Sequence, residues 1–157
     1  MKYLFTLFFI CLINAVNAQV KLLTLNELEK RVANGHDTTY VINFWATWCG
    51  PCIAELPNFE ALRLANLKKP VKVILLSMDF KSKLKSDVIP FVNKQKLQSE
   101  VYVINEKDQH AFIEKVDKNW SGAIPATLFI NTKNKKRLFF EKEFTYQELN
   151  KTLETIK

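Results

Sequence analysis

Cysteine and histidine are both scarce in this chain. Three cysteines, Cys11, Cys49 and Cys52, and two histidines, His36 and His110, stand among 157 residues. A structural zinc site needs four well-spaced ligands, and neither histidine is close in sequence to the Cys49–Cys52 pair, so a metal knuckle lacks its remaining donors. Long apolar runs are missing too. The longest, Tyr3–Ile13, spans eleven residues, against the roughly 18 that a membrane-spanning helix requires. No repeat, Gly/Ser/Pro-rich linker or low-complexity segment divides the chain, and its length suits one domain. The formal net charge is +7, but the basic residues are spread out and no base-reading motif accompanies them, so no nucleic-acid partner is expected. The densest basic run, Lys133–Arg137, lies between two strand-like segments and reads as a solvated hairpin turn.

The eleven-residue run has its own meaning. Lys2 precedes it, and Val16 and Ala18 are small residues placed two apart after it, so residues 1–18 read as a secretory signal peptide cleaved after Ala18. Cys11 follows Phe8-Phe9-Ile10, which does not suit a lipid-attachment site. Cleavage leaves one domain, residues 19–157, with Cys49 and Cys52 as its only thiols. An exported protein meets an oxidising compartment, where structural disulfides are common. This one has no cysteines to spare for them, so a packed core rich in Phe, Leu, Ile and Val must supply its stability.

Strands and helices alternate along that domain. Strand-like segments run over Gln19–Leu23, Thr39–Trp45, Val71–Met78, Val101–Ile104, Ala126–Asn131 and Lys136–Glu143. Helical spacing covers Leu25–Ala33, with Thr24 and Glu27 as a capping box and Gly35 at its end, then Cys49–Leu67, bent at Pro57. It returns over Ser82–Gln95, where Pro90 bends it or starts a second piece, over Gln109–Val116, and over Tyr146–Ile156, capped by Thr145 with Glu148. This order, closed by a hairpin and a helix, predicts an α/β sandwich with a mixed sheet.

The chemistry concentrates in Asn43–Cys52, NFWATWCGPC. A β-branched and aromatic strand ends there, Gly50-Pro51 makes a turn, and Pro51 suits the first turn of a helix. Cys49 then stands where unpaired N–H groups and the positive end of the helix dipole stabilise a thiolate, which marks it as a nucleophile. Cys52, one turn further, can attack a mixed disulfide formed on Cys49. A purely structural bridge across so short a loop would brace almost nothing. Trp48 offers a flat apolar rim beside Cys49, and Trp120 either shares that rim or packs; Phe44 and Trp45 read as core. Glu55 lies one helical turn beyond Cys52. Buried there, it would have a raised pKa and could exchange a proton with Cys52; solvated, it would be an ordinary glutamate near a helix N-terminus.

WCGPC resembles the active-site motif of the thioredoxin superfamily, and NFWATWCGPCIAELP resembles its exported TlpA/ResA-like branch. Pro57 resembles the proline that kinks the family's active-site helix, and Glu55 matches an acidic position of the ResA-like branch. Ile124-Pro125-Ala126-Thr127 resembles the loop whose cis-proline faces the two cysteines. Asn43 stands where cytoplasmic thioredoxin has a buried aspartate, as in the TlpA-like branch. The resemblance covers nearly everything after residue 20. It implies a thioredoxin-like three-layer sandwich, a central mixed β-sheet flanked by helices, with the Ser82–Val116 stretch adding a strand and a helix to the minimal order. It further implies that Cys49 and Cys52 form a redox-active disulfide and that Ile124 pairs with the substrate backbone beside Pro125. Gly50 and Pro51, the dipeptide of thioredoxin, set a reducing potential. No cofactor is expected. The expected partners are protein disulfides and an upstream electron donor such as a membrane thiol transporter. A soluble, periplasmic or otherwise exported monomer is expected. Two other function classes remain open: a peroxiredoxin-like peroxidase, which wants a Thr-x-x-Cys site instead of C-G-P-C, and a metal chaperone using the thiols as ligands.

Overall fold

A computed structural model describes residues 20–157; the signal-peptide reading of residues 1–18, Cys11 and Gln19 lies outside them. Six strands form one mixed sheet in the order β1-β4-β3-β2-β5-β6. They are β1 (Lys21–Leu23), β2 (Thr39–Trp45), β3 (Val71–Ser77), β4 (Glu100–Ile104), β5 (Ala126–Asn131) and β6 (Arg137–Phe140). The first four are parallel, whereas β5 runs antiparallel to β2 and β6 antiparallel to β5. Helices α1 (Leu25–Ala33), α2 (Gly50–Ala65), α3 (Ile89–Gln95), α4 (Gln109–Val116) and α5 (Tyr146–Ile156) cover both faces. This is the sandwich that the thioredoxin resemblance implies, with the added strand β4 inserted between β1 and β3.

All seven residues of β2 are buried, as expected of a central strand covered on both sides. Its pleat sends Val41 and Trp45 to one core with Leu56, Phe59 and Leu62 of α2, Val92 of α3, and Leu149 and Leu153 of α5. Tyr40, Ile42 and Phe44 face a second core with Leu28 of α1 and Phe112 and Val116 of α4. Asn43 is fully buried on the α2 side, where it meets Glu55.

Both capping boxes form, Thr24 with Glu27 and Thr145 with Glu148. Gly35 follows the right-handed cap at Asn34 and serves close packing: a Cβ there would collide with the Tyr40 phenol. Several boundaries differ from the sequence expectation. Helix α2 spans Gly50–Ala65 instead of Cys49–Leu67, because Cys49 is its extended N-cap and the Asn66 side chain turns back to Leu62 O at 2.8 Å. Ser82–Gln95 is not one helix. Residues Lys81–Lys83 form a 3₁₀ turn and Leu84–Val88 a π turn before α3, and Pro90, which has no N–H to give, falls in its first turn. Strand β6 stops at Phe140, short of Glu143, as Glu141 turns to Ser121 and the Phe144 N–H turns to Glu55. Trp120 packs: it is 5% exposed, its ring lies 4.7 Å from Phe44, and its indole N–H donates to Ala123 O at 2.8 Å.

Candidate active site

Strand β2 and helix α2 meet at the C-terminal edge of the sheet, where parallel β/α units gather their functional residues. Cys49 is the N-cap of α2, in extended conformation, and its Sγ accepts the Cys52 N–H at 3.3 Å. It is joined to Cys52 in a disulfide with a Cα–Cα distance of 5.3 Å. Cys49 retains 6% exposure, whereas Cys52 has none, so only the first cysteine of the pair reaches the surface. The Ile124–Pro125 peptide is cis, and Ile124 O lies 3.8 Å from Cys49 Sγ. Trp48 is 70% exposed beside the pair. A Cβ on Gly50 would meet no atom within 4 Å, so nothing in the packing demands glycine there. Cys49, Cys52, Trp48, Ile124 and Pro125 thus gather at one end of the molecule.

Glu55 stands on the buried side of α2, 3% exposed. Its Oε1 accepts from Asn43 Nδ2 at 2.7 Å and its Oε2 from the Phe144 N–H at 2.7 Å. Burial pushes its carboxyl up to about 7, opposed by those two hydrogen bonds and reinforced by the nearby Glu143 charge. Asn43 Nδ2 also approaches Thr127 Oγ1 and Ala126 O, at 3.3 and 3.4 Å, while Asn43 Oδ1 has no partner. Protonation turns one Glu55 oxygen from acceptor into donor, and a rotated Asn43 amide would present its orphaned oxygen to it. Of the two states open to Glu55 in the sequence, the structure shows the buried one.

A second buried carboxylate escaped sequence reasoning. Asp79, 2% exposed, accepts from the Thr47 N–H at 2.9 Å, the Thr47 hydroxyl at 2.6 Å and the Ser77 hydroxyl at 2.7 Å. It fastens the loop carrying Trp48 and Cys49 to the end of β3. The available signal was an acidic residue just after an apolar strand-like run, the strand next in sequence after the cysteine helix. Among the described residues, no cluster of three or more His, Cys, Asp or Glu side chains could hold a metal. No helix among them is long and apolar enough to cross a membrane.

Comparison with known proteins agrees with this geometry. The chain is 26% identical over 129 residues to the thiol-disulfide oxidoreductase ResA of Geobacillus thermodenitrificans, covering 82% of this chain and 69% of that protein. The ResA of Oceanobacillus iheyensis is 44% identical over 39 residues, which are 25% of this chain and 20% of that protein. Among solved structures, a thioredoxin-related protein from Neisseria meningitidis serogroup B superposes with a TM-score of 0.66 at 21% identity, covering 77% of this chain and 86% of that one. StoA from Bacillus subtilis gives 0.58 at 18% identity, with 75% and 84% covered. These structures share the thioredoxin-like fold with this chain. The profile of the AhpC/TSA family matches residues 13–137, and the chain belongs to that family.

Proposed function

We propose that the protein is an exported enzyme that reduces disulfides of extracytoplasmic proteins by dithiol exchange. The observation that carries this is the asymmetry of the pair: Cys49 caps a helix and keeps some exposure, while Cys52 is fully buried. In the reduced enzyme, the Cys49 thiolate attacks one sulfur of a substrate disulfide. A mixed disulfide forms and the first substrate thiolate leaves. Cys52 gives up its proton and attacks Cys49 Sγ, which forms the Cys49–Cys52 bond and releases the second substrate thiolate. Two electrons and two protons pass to the substrate, and an upstream donor, such as a membrane thiol transporter, restores the dithiol. Ile124 lends its backbone to the partner chain, with Pro125 keeping a donor-free surface beside the sulfur. Glu55, titrating near neutrality, exchanges a proton with Cys52. Protein partners of this class include apocytochrome c and misoxidised secreted proteins. The enzyme acts as a monomer.

The decisive experiment is capture of mixed disulfides on a Cys52→Ala variant in the native cells. Partners bound through Cys49 and lost on reduction support the proposal, whereas capture through neither sulfur overturns it. The Cys49 thiol should alkylate well below the pH of a free cysteine, about 8.5. The potential should lie nearer thioredoxin, about −270 mV, than a strong oxidant, about −120 mV; a value at the oxidant end would reverse the direction. A peroxidase would want threonine three residues before its reactive cysteine, and Ala46 stands there before Cys49. Peroxide consumption would reveal that activity, and stoichiometric copper or zinc in the reduced protein would reveal a metal chaperone.

A further inference from the structure

Among the described residues, four large apolar side chains other than Leu22 stand well out of the surface: Trp48 at 70%, Phe80 at 69%, and Leu64 and Leu67 at 63% each. Scattered exposed leucines are ordinary. The two aromatic residues differ in how they are held. Strands β2 and β3 are parallel with Trp45 opposite Ser77, and the Met78 N–H donates to Trp45 O at 2.7 Å, so both chains leave the sheet together. Asp79 then clasps Thr47 through its N–H and its hydroxyl. Trp48 and Phe80 are the next residue beyond each side of that clasp, so both emerge at the end of the sheet that carries Cys49.

The chain after Phe80 is basic. Lys81, Lys83 and Lys85 are all exposed. Lys83 pairs with Asp87 at 3.2 Å, but among the described residues no carboxylate lies within ion-pair distance of Lys81 or Lys85. The segment is anchored underneath by Leu84, Val88 and Phe91, which join the core around Trp45; the Phe91 and Trp45 rings lie 5.2 Å apart. Phe80 and its lysines are therefore displayed on a fixed support.

We infer that Phe80 and the lysines behind it form a second lip of the active site, opposite Trp48, which selects protein disulfides flanked by apolar and acidic residues. The inference rests on the disulfide-exchange reading and goes beyond it by naming the substrate class. The occupant is an extended polypeptide segment, because its disulfide must reach Cys49 between the lips. An apolar side chain next to the substrate cysteine covers Phe80 and Trp48, and acidic neighbours meet Lys81 and Lys85. Charges at such a rim act chiefly on encounter and lose strength with salt.

The test compares two disulfide-bonded peptides with the same apolar residues and either glutamate or lysine flanks, reduced by the dithiol form of the full domain. The glutamate peptide should show at least a tenfold higher kcat/KM in low salt, with the ratio shrinking in high salt. Phe80→Ala should lower kcat/KM severalfold for both peptides, chiefly through KM. Lys81→Glu/Lys85→Glu should erase or invert the preference. Leu64→Ser and Leu67→Ser, on exposed positions near the end of α2, should match the parent enzyme. Equal rate constants for the two peptides, or a Phe80→Ala enzyme indistinguishable from the parent, would overturn the second lip while leaving disulfide exchange intact. Reduction of neither peptide by the parent enzyme would overturn both readings.

Discussion

Glu55 and Asp79 are both buried carboxylates, at 3% and 2% exposure, and their surroundings differ in one respect that decides what each can do. Around Asp79 stand two hydroxyls and one N–H, supplied by Thr47 of the cysteine loop and Ser77 at the end of β3. Around Glu55 stand only the Asn43 amide and the Phe144 N–H, from β2 and from the chain entering α5. Hydroxyls rotate to follow an acceptor, whereas amide donors are fixed by backbone and neighbours. The first carboxylate works as a fastener between loops. The second is desolvated with too few donors, and its carboxyl rises to about 7, within reach of a physiological proton.

Variants can break this contrast. The largest stability loss should follow Asp79→Ala, which orphans the Thr47 N–H in a half-buried turn along with two hydroxyls. At about 1–3 kcal/mol for an unsatisfied buried group, partly relieved by hydroxyl rotation, a loss of roughly 3 kcal/mol is expected in urea unfolding. The same variant should slow disulfide exchange by loosening the Cys49 loop.

Glu55→Gln should give a smaller, pH-dependent change. The folded carboxyl titrates higher than the unfolded one, so the folded state holds the extra proton between about pH 4.5 and 7. Parent stability therefore falls as pH rises through that window and levels off above it. At ~1.4 kcal/mol per pKa unit, the fall is on the order of 3 kcal/mol. The glutamine variant lacks this fall, so its stability relative to the parent should improve from pH 4 to pH 8 by up to that amount. Its amide can donate to a rotated Asn43 Oδ1, which now has no partner, and the fold should survive. A flat difference between the two proteins across that range would return Glu55 to a packing role. Disulfide reduction should slow in this variant most near neutral pH, and a thiol pKa should fall with the carboxylate charge gone.

The smallest effect should come from Thr47→Val, which removes one hydroxyl donor to Asp79 and keeps the N–H bond. A loss of about 1 kcal/mol in urea unfolding is expected, with Thr47→Ser close to the parent. If Thr47→Val costs as much as Asp79→Ala, the hydroxyl and not the backbone bond carries the fastener.

Several elements were legible because short-range physics decides them. The β2 strand, both Thr/Glu capping boxes, α4 and the thiol pair at the mouth of α2 follow from local periodicity, hydroxyl-to-N–H caps and the preset φ of Pro51. The 3₁₀ and π turns of residues 81–88 were not, since helical spacing cannot show where Leu84 and Val88 must dock on the Trp45 core. Gly35 looked like a helix stop and proves to be a close approach to Tyr40, a neighbour made only by folding.

The sequence by itself determined where the chemistry sits: two thiols three residues apart at the start of a helix, and one alternating set of strands and helices to hold them. Tertiary structure alone decided the electrostatics around that chemistry. Whether Glu55 is a solvated surface residue or a buried acid near neutrality depends on Asn43, 12 residues away, and Phe144, 89 residues away. Whether Asp79 matters depends on Thr47, 32 residues away. Desolvation and hydrogen bonding act over a few ångströms in space, and at those separations along the chain only the packed fold determines which groups meet.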